Sequence, residues 1–156
     1  MNKLRPELDD VDRHILRTLA ADARIPNSTL AAQVGVAPST CLMRVRRLQE
    51  IGVIQGFHAD LAPSALGRPL QAVIAVRLAA HARTRIRQFG AAIAALPGVL
   101  NVFFLAGAND FQVHLAAESA DDLRDFVVEN LSASRDVAMT ETNLIFEHLR
   151  GGSPMV

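Results

Sequence analysis

The segment Pro38-Ser39-Thr40-Cys41-Leu42-Met43-Arg44-Val45-Arg46-Arg47-Leu48 constrains this chain more than any other. Wound as a helix, it sets Cys41, Val45 and Leu48 on one apolar side. Ser39, Thr40, Met43, Arg46 and Arg47 fall on the opposite side, with Arg44 on the flank. Pro38 suits the first helical position, where its missing N–H would be unpaired anyway. Gly52 lies just beyond as a stop. Between Asp22 and Glu50 there is no acidic residue, yet Arg24, Arg44, Arg46 and Arg47 lie inside that window. An acid-free basic side is what contact with phosphate requires, because each guanidinium offers a planar pair of donors. It is also the composition of an ordinary solvated helix, so the neighbouring segments decide between the two.

Leu8-Asp9-Asp10-Val11-Asp12 reads as a helix start, its acidic residues placed to cap free N–H groups and to face the positive end of the helix dipole. Leu8, Val11, Ile15, Leu16 and Leu19 recur at helical spacing, which predicts a first helix of about three turns. Residues 22–26 break the pattern. Asn27 or Ser28 then caps a short helix over 29–34 that buries Leu30, Ala31 and Val34, and Gly35 permits a left-handed turn. A short helix, a turn of about four residues with a Gly, and a helix apolar inside and basic outside form a helix-turn-helix. The competing reading is a helical packing module with solvated arginines.

The chain has 156 residues, 50% of them hydrophobic, enough for two small cores or one medium one. Lys+Arg and Asp+Glu both number 16, so the local charge distribution carries more information than the total. One cysteine rules out an intrachain disulfide framework and fits a reducing compartment. Residues 1–8 hold no apolar stretch of the signal-peptide kind, and the apolar run near 72–76 is too short to span a bilayer. The expectation is a cytoplasmic protein with no membrane partner.

Residues 53–61 are β-prone. Pro63, Gly67 and Pro69 punctuate the segment up to Leu70, which places a domain boundary at about residue 63 and gives domains 1–62 and 63–156. Strands are predicted over 70–78, 99–106, 111–117 and 137–149, and helices over 84–96 and from the Ser119 cap onward. Ala72, Ile74, Val76 and Leu78 share one face of the first strand. Ile86, Phe89 and Ile93 line the first helix, ended by Pro97-Gly98, and Leu123, Phe126, Val127 and Leu131 line the second. The order βαββαβ gives an antiparallel sheet with both helices on one face. Apolar residues on the other face, such as Val73 and Ala75, then need a cover, and a second subunit is the expected one.

Three sets of residues carry a family resemblance: Leu8-Asp9-x-x-Asp12, Leu30-Ala31-x-x-Val34-Gly35, and Cys41-x-x-Arg44-Val45-Arg46-Arg47-Leu48 with Gly52-Val53-Ile54-x-Gly56-Phe57 after it. Together they resemble the Lrp/AsnC, or feast/famine, transcriptional regulators. The likeness runs over nearly the whole chain, from Leu8 to Leu149. It implies an α+β architecture: a three-helix, winged-type helix-turn-helix domain, then a βαββαβ ferredoxin-like regulatory domain. One departure is Ala37, where the family usually has a Ser as helix cap. Ala accepts no N–H, a loss of about 1 kcal/mol unless Ser39 or water substitutes. The resemblance further implies that residues 53–61 pair with their counterpart in another subunit, that sheets pair in dimers, and that dimers assemble further, commonly into octamers. Gly107-Ala108-Asn109-Asp110 matches the family's Gly-x-x-Asp effector motif, which is otherwise an ordinary hairpin turn. On that reading Gly107 lets an amino acid approach, Asp110 pairs its ammonium group, and Thr140 and Thr142 supply hydroxyls to its carboxylate. Met139 narrows or closes the pocket.

Within the reading helix, Ser39, Thr40 and Met43 are the base-reading candidates, since N-terminal residues reach base edges first, while Arg44, Arg46 and Arg47 are assigned to phosphates. Met43 serves equally well as a gap-filler. His14, His58, His81, His114 and His148 lack helical metal-ligand spacing, Cys41 lies on the apolar side, and no nucleophile motif, P-loop or dinucleotide fingerprint is present. No cofactor, metal or catalytic residue is therefore expected. The sequence points to a DNA-binding regulator responsive to an amino acid, acting on a palindromic duplex with reading helices roughly 34 Å apart. The alternative is a ferredoxin-like small-molecule-binding protein or enzyme whose helical domain contacts protein rather than DNA.

Overall fold

The computed structural model describes residues 6–149 and 151. They form two compact units that divide between Ala59 and Asp60. Among the described residues, no helix is long and apolar enough to cross a membrane.

The first unit holds α1 (Asp10–Ala21), α2 (Asn27–Val34) and α3 (Pro38–Glu50). Asp9 caps α1 by accepting the Asp12 N–H at 2.8 Å, and Asp12 returns the bond to the Asp9 N–H at 3.4 Å. Gly35 ends α2 at φ 73°, a left-handed conformation that a side chain would strain. Ala37 gives α3 no side-chain cap, as its chemistry requires, and Ser39 does not replace it. The Asn27 amide instead donates to the Pro38 carbonyl at 2.9 Å and fastens the start of α3 to α2. Ile15, Leu16, Leu30, Ala31, Val34, Cys41 and Leu48 make the core.

Residues 53–61, expected to pair with a second subunit, form no strand within the single chain. Val53 and Ile54 both donate their N–H to the Leu48 carbonyl, and their side chains pack on the helical core. The remaining residues of that stretch join no strand of this chain among the described residues.

The second unit holds β1 (Leu70–Leu78), α4 (Ile86–Ala94), β2 (Val99–Phe104), β3 (Phe111–Ala117), α5 (Ala120–Val127) and β4 (Val137–Leu144). The sheet order is β2-β3-β1-β4, antiparallel throughout, with the βαββαβ topology. Helix α4 begins two residues later than predicted, because residues 80–85 form a 3₁₀ turn anchored by buried Ala82. Strand β4 stops at Leu144, five residues early. Ser119 caps α5 through the Asp122 N–H.

Ala72, Ile74, Val76 and Leu78 of β1 join Phe111, Val113 and Leu115 of β3 in the core beneath α4 and α5. The opposite face carries Gln71, Val73, Ala75 and Arg77 by alternation. Ala75 is only 6% exposed, since the longer cross-strand neighbours Gln112 and Glu141 flank it, and Val73 is half-buried. The apolar surface left open there belongs instead to Phe103 and Met139, which are exposed.

Candidate functional site

Helix α3 presents two different edges. Ser39, Met43 and Arg46 are exposed, and Met43 keeps 64% of its surface in solvent, which excludes the gap-filling role within this unit. Thr40 is half-buried beside them. Arg46 makes no ion pair among the described residues.

The other two arginines are engaged. Arg44 Nη1 donates to Asp9 Oδ2 at 2.6 Å and to Asp12 Oδ1 at 2.9 Å. Arg47 Nη1 donates to Asp12 Oδ2 at 3.2 Å, and its Nη2 to the Glu7 carbonyl at 3.3 Å. Asp12 is 1% exposed, so both of its oxygens are committed inside the unit to α3. The Asp12 backbone N–H, then the Arg44 guanidinium, hold the Asp9 carboxyl below its usual range. Arg44 is pushed up in return, first by Asp9 and then by Asp12. The window that lacks acids in the sequence is thus supplied with two of them in space, so the basic side of α3 is not acid-free. Arg44 is a strut between α1 and α3, Arg47 is held at one end with its side chain still 48% exposed, and Arg46 alone of the three pairs with no carboxylate among the described residues.

Asp9 and Asp12 thus do more than start a helix. Their pairing leaves a signal in the sequence: two carboxylates three residues apart and two guanidiniums, at 44 and 47, also three apart. Residues at that spacing share a helix face, so two such pairs fit one another.

In the second unit, the end of β1 gathers the other candidate residues. Asp110 donates its N–H to the Val76 carbonyl, and its Oδ2 accepts the Leu78 N–H at 2.8 Å. Thr140 pairs with Val76 from the opposite side of the same strand, so Asp110 and Thr140 flank β1 two strand spacings, roughly 10 Å, apart. Thr142 pairs with Ile74, one step further in, and lines a crevice of about 280 Å³ with Leu123, Arg124 and Val127. Cross-strand pairing with core residues puts Thr140 and Thr142 on the helix-covered face. Met139 pairs with Arg77 on the open face, so within one chain it does not border those hydroxyls as expected. A Cβ added at Gly107 would meet nothing within 4 Å, leaving room for approach there. Sequence reasoning passes over the charges around this rim, His81, Arg83, Arg85 and Asp136, because they sit in turns without periodicity. Among the described residues no group of His, Cys, Asp or Glu is arranged to hold a metal ion.

Two family models match the chain. Residues 8–49 match the AsnC-type helix-turn-helix domain, and residues 71–154 match the Lrp/AsnC ligand binding domain. The HTH-type transcriptional regulator AldR of Mycolicibacterium smegmatis is 61% identical over 149 residues, covering 96% of this chain and 87% of the relative. The crystal structure of the Mycobacterium tuberculosis AldR superposes with a TM-score of 0.84 at 55% identity, covering 96% of this chain and all of that one. A transcriptional regulator from Neisseria meningitidis, crystallised as a complex with L-Met, superposes at 0.85 with 27% identity, covering 93% of this chain and 94% of that one. With both of its units matched in order along the chain, this protein belongs to the Lrp/AsnC family of transcriptional regulators.

Proposed function

We propose that the chain is a sequence-specific regulator of amino-acid metabolism, not an enzyme, whose DNA binding or assembly responds to an amino acid bound between dimers. The observation that carries this reading is the outer edge of α3, where Arg46, with no ion pair among the described residues, stands beside the exposed Met43 and Ser39. Ser39, Thr40 and Met43 read base edges, and a thymine methyl group suits Met43. Arg46, with the exposed part of Arg47, binds phosphate, while Arg44 braces the helix. Gly107, Asp110, Thr140 and Thr142 form the effector site, completed where dimers meet in a higher oligomer, an octamer. The L-Met held by a relative of the same fold supports an amino acid as the ligand class. Binding there shifts the assembly equilibrium and moves paired reading helices relative to a palindromic duplex.

A gel-shift titration with the upstream region of the chain's own gene, repeated across salt concentrations and with each of the twenty amino acids, tests this. The expected result is a salt-sensitive shift that outlasts nonspecific competitor and changes with at least one amino acid. Absence of any salt-sensitive shift removes the DNA-binding reading. A shift indifferent to every amino acid, with unchanged assembly state, removes the coupling.

A further inference from the structure

A zwitterionic ligand needs an acceptor for its ammonium group and a cation or donors for its carboxylate, held a few ångströms apart. The rim at the end of β1 holds one such pair. Asp110 is pinned at three points: its N–H to the Val76 carbonyl, its carbonyl to the Leu105 N–H, and its Oδ2 to the Leu78 N–H. Its second oxygen, Oδ1, faces Arg83, whose Nε stands 3.8 Å away, beyond hydrogen-bond reach. The nearby cations differ from Arg83. Arg85 places Nη2 at 3.1 Å from both oxygens of Asp136, and His81 leans on the same carboxylate at 3.3 Å. Arg83 is therefore the arginine of this turn with donors to spare, and 56% of its side chain is open to solvent. Its backbone is placed by the buried Ala82 before it and the anchored Arg85 after it.

We propose that Arg83 and Asp110 form a clamp for a free α-amino acid, with Asp110 Oδ1 taking the α-ammonium and the Arg83 guanidinium taking the α-carboxylate. The inference rests on the effector reading above and moves the α-carboxylate from the Thr140 and Thr142 hydroxyls, which lie across β1 from Asp110, to Arg83 on its near side. The loose contact between the two groups opens to admit a zwitterion, which replaces one long ion pair with two short charge-assisted ones. The side chain of the ligand is left to the neighbouring surface, so the clamp recognises the class and not the identity.

Isothermal titration of the full chain with the twenty L-amino acids, and of the one that binds with its α-carboxamide, tests the clamp. The wild-type chain is expected to prefer the free acid to the amide by about ten- to a hundredfold. Arg83→Gln is expected to weaken the acid to the affinity of the amide and to abolish that preference, Arg83→Lys to restore part of it, and Arg85→Gln to leave it intact. If no amino acid binds the wild-type chain, the effector reading itself fails. If an amino acid binds but acid and amide bind alike, or Arg83→Gln keeps the preference, the effector reading stands and the clamp is overturned. If Arg83→Gln does not fold, Arg83→Lys is read in its place: a preference smaller than that of the wild-type chain supports the clamp, and an unchanged one overturns it.

Discussion

Asp12 and its two arginines respond differently to removal, and the difference measures what each does. Asp12→Asn leaves Arg44 and Arg47, both partly in solvent, to hydrate themselves. Arg44→Ala leaves a carboxylate that is 1% exposed with Arg47 as its remaining arginine partner, and an under-compensated buried charge is the costlier state. Arg44→Ala is therefore expected to destabilise the helical unit by about 2–3 kcal/mol, more than Asp12→Asn, as read by thermal or urea unfolding of the full chain. Equal losses from the two would mean that the charge of Asp12 is not effectively buried. At this scale the sequence is legible in kind but not in pairing. The caps at Asp9 and Ser119, the left-handed Gly35 and the exposed Met43 follow from local chemistry, and the structure has all four. The ion pairs cross about 35 residues, and no local window contains both ends.

Among the elements, the packing of α4 on β3 and the network on the open sheet face each give a measurable consequence. Gly90 sits where an added Cβ would lie 2.9 Å from the ring of buried Phe111. Gly90→Ala gains about 0.5–1 kcal/mol of helix propensity, but its overpacking costs about 1–3 kcal/mol. The net expected result is a lower unfolding temperature for the second unit. On the other face His114, 8% exposed, contacts Gln71 at 2.9 Å and Asn101 at 3.3 Å and meets the edge of the His148 ring. Burial, then the charge of His148, lowers its pKa below the ordinary 6.5. The unfolded chain therefore binds a proton more readily than the native one. The native state holds its advantage above pH 6.5 and loses it as pH falls below that value. Thermal melts on both sides of that pH should show the loss, and His114→Gln should flatten it. Element boundaries are legible at the Asp9 and Ser119 caps and at Gly35, and β3 spans the residues predicted for it, whereas α2 starts at Asn27 behind Pro26 and not behind a cap at Asn27 or Ser28. Within the chain, Val53 and Ile54 pack on the helical core, and the described residues of 53–61 join no strand; the pairing expected for them is with a second subunit.

At the scale of the whole molecule, one unit carries the family's helix-turn-helix and the other its ligand binding domain. The topology of each unit is legible from periodicity and turn residues, and so is the presence of a basic helix. Which of its arginines remain available to a partner is not, because that depends on a helix folded onto it from elsewhere. The central claim is that α3 meets phosphate through Arg46 while Arg44 is withheld. The salt dependence of DNA affinity tests it most directly, since removing one phosphate contact lowers the log–log slope by about 0.9. Measured on one duplex with folded proteins, Arg46→Gln should reduce the slope by that amount for each phosphate it meets, and Arg44→Gln should leave it where the wild-type chain has it. A slope unmoved by Arg46→Gln, or lowered as much by Arg44→Gln, would contradict the claim.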